Sequence, residues 1–295
     1  MDGNVGVLGA RSLAGECLLP LLVGRGLSVM AFSRQPGRRH AGSGIQWWQF
    51  KAIMDSDGGY KPLQPEIRNW VSLAPIWVLP DYFGLLEAHS VQRIVALSST
   101  SRFTKEDSPD LEERAVARRL AEGERRLERW AGARQAATVI LRPTLIYGYG
   151  RDQNISEVAR FIRRFGFFPV CGAASGLRQP VHVEDVAAAC LAALEGQSTG
   201  IRHYNLSGGE VLTYRAMVQR VFDALGKRPV FLSLPLWAYR VATRCSSLLP
   251  GNRHGWYAVA KRMNQDLVFD HAAAEVDLKF FPRQFQAAQL FSGKP

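Results

Sequence analysis

The chain has 295 residues, 47% of them apolar, with 37 Lys and Arg against 26 Asp and Glu for a formal charge of +11; it is long enough for a large α/β domain with a smaller one appended, and its composition excludes a disordered chain. Four scattered cysteines (Cys17, Cys171, Cys190, Cys245), with no CxxC pair and no histidine cluster beside them, exclude a disulfide framework and a zinc site and point to reduced thiols. No signal peptide is visible, and the longest later apolar run, VFLSLPLWA at 230–238, is too short to span a bilayer, so a soluble, cytoplasmic protein is expected.

In chain order, NVGVLG (4–9) reads as a buried strand and SLAGECLLPLLVGRG (12–26) as a helix ending at glycine. LSVMAF (27–32), IQWWQF (45–50), WVSLA (70–74), RIVALSS (93–99) and ATVILRP (137–143) read as further strands, several joined by helical patterns. Strand–helix alternation at this spacing predicts right-handed βαβ units and a doubly wound parallel sheet covered on both faces. After Pro143 the rhythm changes to helices separated by Gly/Pro-rich pieces, with one more strand at HYNLS (203–207). The expected division is a dinucleotide-binding Rossmann domain over 1–142 plus 179–206, interleaved with a ligand lobe over 143–178 plus 207–295.

Residues 9–15, GARSLAG, follow the first strand and open the first helix, where a pyrophosphate needs close backbone approach and the positive end of a helix. Gly9, Arg11, Ser12, Leu13 and Gly15 are therefore the first cofactor candidates. An NAD-preferring site places Asp or Glu at the end of the second strand; this chain has Ser33 and Arg34 there, with Arg38 and Arg39 behind. Serine and arginine suit a 2′-phosphate, so NADP is preferred over NAD. The surplus of arginine fits either a solvated basic surface or attraction of an anionic cofactor or substrate. No nucleic-acid motif accompanies it, and the aromatics are not interleaved with the basic residues as a stacking platform requires.

Several stretches in order resemble the extended short-chain dehydrogenases/reductases of the NAD-dependent epimerase/dehydratase type, over nearly the whole chain: GARSLAG, ALSSTS (96–101), LRPTLIYG (141–148), RQPVHVEDVA (178–187), YNLSGGEVLTYRAMVQRVFDALG (204–226) and FDHAAAEVDLKFFPR (269–283), the last resembling the C-terminal element of the substrate lobe. The resemblance implies a Rossmann fold and a nucleotide-sugar-like ligand. It places Thr100, with Ser99 beside it, at the catalytic serine or threonine, Pro143 at the nicotinamide end, and Ala74, in SLAP (72–75), beside the cofactor. It makes Arg178 a candidate for a substrate phosphate and implies a homodimer through the helix at 110–131.

The departures bear on chemistry. The family carries Y-x-x-x-K on the helix after the serine strand, lysine lowering the tyrosine's pKa while tyrosine exchanges a proton with the substrate. Counting back from AEGERRL (121–127) puts Val116 at the tyrosine position and Leu120 at the lysine position. No tyrosine occurs between Tyr82 and Tyr147, and the only lysine between them is Lys105. With Leu127 and Ala131, the two replacements form an apolar stripe at helical spacing. Phe50 stands where the family often has an adenine-contacting Asp, and Ser72 and Pro75 also depart from it.

Remaining candidates for chemistry are Thr100 and Ser99 as orienting hydroxyls and Tyr149 as a substitute acid, with Tyr147 expected to pack, His182 to be a satisfied strand histidine, and Asp185 to cap a helix starting at Val186. The segment LPLWAYRVATRCSSLLPG (234–251) is an amphipathic helix, either a lid of the lobe or a peripheral contact with a membrane surface. Two functions stay open: an NADP(H)-dependent oxidoreductase acting on a nucleotide-sugar-like ligand, or a catalytically silent NADP-binding sensor or assembly protein.

Overall fold

In the computed structural model residues 3–34, 44–49, 60, 65–246 and 256–291 are described. Apolar runs become strands β1 (Asn4–Leu8), β2 (Ser28–Ser33), β3 (Ile45–Gln49) and β4 (Asn69–Ser72), with helix α1 (Leu13–Gly24) after the first. A 3-10 turn at Ile76–Tyr82 runs into α2 (Phe83–Ala88), followed by β5 (Arg93–Leu97), the short α3 (Ser101–Thr104), α4 (Leu111–Arg134) and β6 (Ala137–Pro143). Beyond Pro143 come β7 (Ile146–Tyr147), α5 (Ile155–Phe165), β8 (Phe168–Cys171), β9 (Leu177–Arg178), β10 (Val181–His182), α6 (Val183–Glu195) and β11 (Ile201–Leu206). The chain closes with β12 (Leu212–Thr213), α7 (Tyr214–Ala224), β13 (Phe231–Leu234), α8 (Leu236–Ser246), α9 (Trp256–Arg262) and α10 (Ala272–Leu278).

Seven strands form one parallel sheet in the order β11-β6-β5-β4-β1-β2-β3, so the strand order reverses between β1 and β4. Strand alternation sends Val5, Val7, Val29, Val71, Val95 and Val139 to the face covered by α1 and α6. It sends Leu8, Phe32, Trp70, Ile94 and Ile140 to the face covered by the 3-10 turn and α4. Both faces are dry, as a parallel sheet requires. This is the doubly wound Rossmann architecture that the alternating pattern predicts.

Helix α4 starts where the Asp110 carboxylate accepts from the backbone N–H groups of Glu112 and Glu113, and it ends at Gln135, which takes a left-handed φ of 54°. Its stripe behaves as its spacing predicts: Leu120, Leu127 and Ala131 are buried, and Val116 packs against the same cluster. Truncating the fully buried Leu127 to Ala costs about 2–5 kcal/mol.

A second core gathers Tyr147, Ile155, Val170, Phe222, Met263 and Phe285 around α5 and α7, with β13 paired to β8 and β12 to β9. The stretch 269–283 differs from its expected place: Ala274, Leu278 and Phe280 join the core of the sheet, against β11 and α6. The reason is the apolar spacing of α10, which faces the outer strand β11. Phe50, Arg38 and Arg39 lie outside the described residues, as does the side chain of Cys245. Among the described residues no helix is long and apolar enough to cross a membrane.

Candidate functional site

The carboxyl ends of β2, β1, β4, β5 and β6 line one edge of the sheet, and the strand-order reversal puts a crevice between β1 and β4, where open α/β sheets bind ligands. Gly9 occupies that point with φ +74°; a Cβ there would sit 2.7 Å from the Ala74 nitrogen. Only glycine fits both the backbone conformation and the approach of the β4 loop. Ser12 then caps α1, its hydroxyl accepting from the Gly15 N–H at 3.1 Å. Gly15 lies flat against the loop, since a Cβ would meet the Ala10 carbonyl oxygen at 2.4 Å. The outcome is a tight turn delivering the positive end of a 12-residue helix to the edge.

Arg11 is exposed on this turn, Leu13 packs against the core behind it, and Glu16 in the first turn of α1 pairs with Arg151. At the end of β2, Ser33 is buried and Arg34 exposed, close enough to Tyr82 to act on its phenol electrostatically. Ser72, at the end of β4, is fully buried, and its hydroxyl has no hydrogen-bond partner among the described residues.

Thr100 and Pro143 meet at the ends of β5 and β6. The Thr100 N–H and hydroxyl both donate to the Pro143 carbonyl, at 3.1 and 3.2 Å. The Ser99 hydroxyl accepts from the Ser101 N–H at 3.1 Å. Both hydroxyls are thus engaged with local backbone.

One turn along α4 from Leu120, and on the same stripe, Glu124 is fully buried. Its carboxylate accepts from the Ser98 hydroxyl and pairs with Arg142 and Arg102, whose guanidinium groups lie over the Phe103 ring at 5.4 and 5.0 Å. Burial pushes both guanidinium groups down from their usual pKa, and each arginine's charge is met by the one carboxylate. Glu128 and His203 continue the cluster with a 2.8 Å contact, but Glu124 is already matched by two cations, which disfavours a metal ion there.

Sequence reasoning passed over this group. Its signal was a glutamate falling on the apolar stripe between Leu120 and Leu127, four residues after the first.

Three expectations are corrected by the geometry. Arg178 is buried and spends its guanidinium on the carbonyls of Leu177, Gln265 and Arg262, stacked over Tyr214 at 5.2 Å. Burial pushes it down to about 10, and it crosslinks β9 to the α9 segment instead of pointing toward the sheet edge. Asp185 does not cap a helix: α6 begins at Val183, His182 Nδ1 accepts from the Glu184 N–H at 3.3 Å, and Asp185 binds the Arg283 backbone and side chain at 3.0 and 2.9 Å. His182 is half-satisfied, since its buried Nε2 has no partner.

Tyr149 hydrogen-bonds the Glu184 carboxylate. Burial and that carboxylate raise its pKa well above the ordinary tyrosine value, making it a poor acid, and it lies toward α1 and α6. Tyr147 packs as expected, fully buried against His182 and Phe285.

Beyond Thr100, an open cleft of about 470 Å³ runs between Phe103–Pro109 and the α9 segment, with Asp107, Lys261, Arg262 and Asp266 on its walls. Arg262 pairs with Glu113, whose carboxyl is held below the usual range: burial opposes this, and the hydrogen bonds from Arg262 and Ser108 overcome it.

The sequence profile of the NAD dependent epimerase/dehydratase family matches residues 83–207, the stretch from α2 through β11. The chain superposes on the UDP-glucuronic acid 4-epimerase from Bacillus cereus in complex with NAD with a TM-score of 0.70, covering 99% of this chain and 94% of that one; at 17% identity the likeness is one of fold. It is 35% identical over 98 residues to subunit 9 of the NADH dehydrogenase [ubiquinone] 1 alpha subcomplex, mitochondrial, of Arabidopsis thaliana. It is 31% identical over 119 residues to the 2-alkyl-3-oxoalkanoate reductase of Stenotrophomonas maltophilia (strain K279a). These matches cover 32% and 39% of this chain, and the chain spans 24% and 36% of the length of those two relatives.

Proposed function

We propose that the chain is a member of the NAD dependent epimerase/dehydratase family that binds NADP(H) along the carboxyl edge of the sheet and lacks the proton relay with which an epimerase turns its ligand over. The observation that carries the reading is the packing of Val116 and Leu120 into the core under α4. Helix α4 itself carries no Tyr or Lys, and one turn on from Leu120, Glu124 is engaged by two arginines. The Gly9 turn, Ser12 and the start of α1 suit a pyrophosphate, Ser33 and Arg34 a 2′-phosphate, and Ala74 and Pro143 flank the path to the nicotinamide. When bound, the dinucleotide supplies a hydride donor or acceptor; what this chain supplies is position. A sensor or assembly role accords with this reading, and the partial match to a subunit of an NADH dehydrogenase supports it. Cys17, Cys171 and Cys190 are buried and form no disulfide among the described residues, which suits a reducing compartment such as the cytoplasm.

A second reading, reduction of a nucleotide-sugar-like or other carbonyl ligand with a water-borne proton, is favoured by the open cleft between Phe103–Pro109 and the α9 segment. Calorimetric titration with NADPH and then NADH tests the first reading. Tight NADPH and weak NADH binding supports it; binding of neither sinks it. NADPH consumption with a panel of UDP-sugars and 3-oxo acids then separates the two, because steady turnover overturns the silent reading.

A further inference from the structure

The charge surplus is not spread over the molecule. Residues 158–183 and 224–265 contain no Asp or Glu and carry all eleven surplus cations, so the rest of the chain is balanced at 26 of each sign. Most buried apolar residues described in these stretches join the second core, where β13 pairs with β8 and leads through Pro235 into α8. That same edge leaves large apolar side chains in the open. Phe165 is 51% exposed at the end of α5, Val230 and Leu232 about half exposed along β13, Trp237 68% and Val241 52% exposed one turn apart on α8. Leu236 and Tyr239 turn inward on the same helix, so α8 is amphipathic with its core side already filled.

The exposed cations are interleaved with these residues: Arg163, Arg164, Arg228 and Arg240. Arg164 lies over the Phe165 ring at 5.3 Å and Arg240 over Tyr257 at 4.9 Å. Stacking engages the face of a guanidinium and leaves its rim of N–H donors for oxygen acceptors.

We propose that the face formed by β13, α8 and the end of α5 seats on an anionic lipid bilayer, with Trp237 and Val241 entering the headgroup boundary and the arginines binding lipid phosphates. Exposed apolar residues in one patch on a monomer mark an interaction surface. Apolar and basic side chains side by side, with no acid between them, are complementary to a surface that is anionic above and hydrocarbon below. A second copy meeting this face would bring like charges together. A nucleic acid would gain nothing from Val230, Leu232 and Val241, and the Phe165 ring that could stack a base is covered by Arg164. The surface does not involve the Gly9 turn, so it stands or falls apart from cofactor binding.

The test is flotation of the full chain with vesicles of phosphatidylcholine containing about one-third phosphatidylglycerol, against vesicles of phosphatidylcholine alone. Flotation with the anionic vesicles at low salt, lost at about 1 M salt, is expected. Trp237→Ser with Val241→Ser, and separately Arg228→Glu with Arg240→Glu, should each weaken it by about tenfold or more, with thermal midpoints unchanged. Brominated lipid should quench part of the tryptophan fluorescence; Trp237→Phe should still float but lose that quenching. Absence of flotation, or flotation indifferent to these pairs, overturns the proposal. So does DNA binding without vesicle binding, or a concentration-dependent dimer that Trp237→Ser abolishes.

Discussion

Arg142 holds Glu124 through two hydrogen bonds, Nε to Oε1 at 3.1 Å and Nη2 to Oε2 at 2.7 Å, and so ties the middle of α4 to the end of β6 beneath the face where Val116 and Leu120 pack. Glu124 is wholly buried and is the carboxylate shared by Arg142 and Arg102. Removing its charge leaves two largely buried guanidinium groups with no paired carboxylate among the described residues, only the through-space charge of nearby acids such as Glu128. Glu124→Gln should therefore cost about 3–5 kcal/mol, measured by urea unfolding with an unchanged slope. A loss below about 1 kcal/mol would show that water reaches the pair.

Gly9→Ala combines a left-handed φ with a Cβ at 2.7 Å from the Ala74 nitrogen. A non-glycine residue in this conformation costs about 1–3 kcal/mol, and the displaced β4 loop opens the crevice where a dinucleotide would lie. A lower thermal midpoint together with weakened NADPH titration is the expected result. A variant with wild-type affinity would separate the turn from the cofactor.

How much of this was legible varies by the range of the interaction. The strands were readable because parallel strands buried on both faces need uninterrupted apolar runs, and β6 matches ATVILRP residue for residue. The Gly9 turn was readable because its demand is local. The Glu124 group was not, since its partners come from two distant stretches, Ser98 and Arg102 from the end of β5 into α3 and Arg142 from β6, and meet α4 only in the fold. Arg178 and Asp185 misled for the same reason. Their partners, Arg262 and Gln265 for the first and Arg283 for the second, lie 84 to 98 residues away, beyond any local pattern.

Arg34 is exposed at the end of β2, where a ribose 2′ position would lie if the dinucleotide takes the crevice. Arg34→Ala should weaken NADPH far more than NADH, by about tenfold or more for a charge-assisted pair. Equal losses in paired calorimetric titrations would remove Arg34 from the 2′-phosphate role and with it the preference for NADP.

Restoring Val116→Tyr and Leu120→Lys together should not create epimerase activity. Leu120 is 4% exposed, so a lysine there carries its ammonium into a cluster containing Leu127 and Ile140 and lowers stability before it serves chemistry. The expected outcome is a depressed thermal midpoint and no turnover of UDP-sugars. Robust interconversion of any of them by the double variant would mean that the two side chains are all that separates this chain from an active enzyme.

His182 makes stability depend on pH. Burial lowers its pKa below the usual histidine value and the Arg283 charge lowers it further, outweighing Glu184 and Asp185, while the Tyr147 and Tyr149 rings pack at 5.1 and 5.7 Å. The folded protein therefore keeps this imidazole neutral at a pH where the unfolded chain, with a value of about 6.5, binds a proton. Its contribution is fully present above about pH 6.5 and is lost as pH falls from there through the lower folded value. His182→Asn retains an acceptor for the Glu184 N–H in place of Nδ1 and carries no titrating group. Urea unfolding from about pH 8 to about pH 5 should show a wild-type decline steeper than the variant's by up to about 1.4 kcal/mol per pH unit. His89, also lowered by burial, keeps its own share in both proteins, so only the difference between the curves reports on His182. Parallel curves would mean that the protonated ring finds a partner in the fold, most directly Glu184, whose Oε2 lies 3.6 Å from Nδ1.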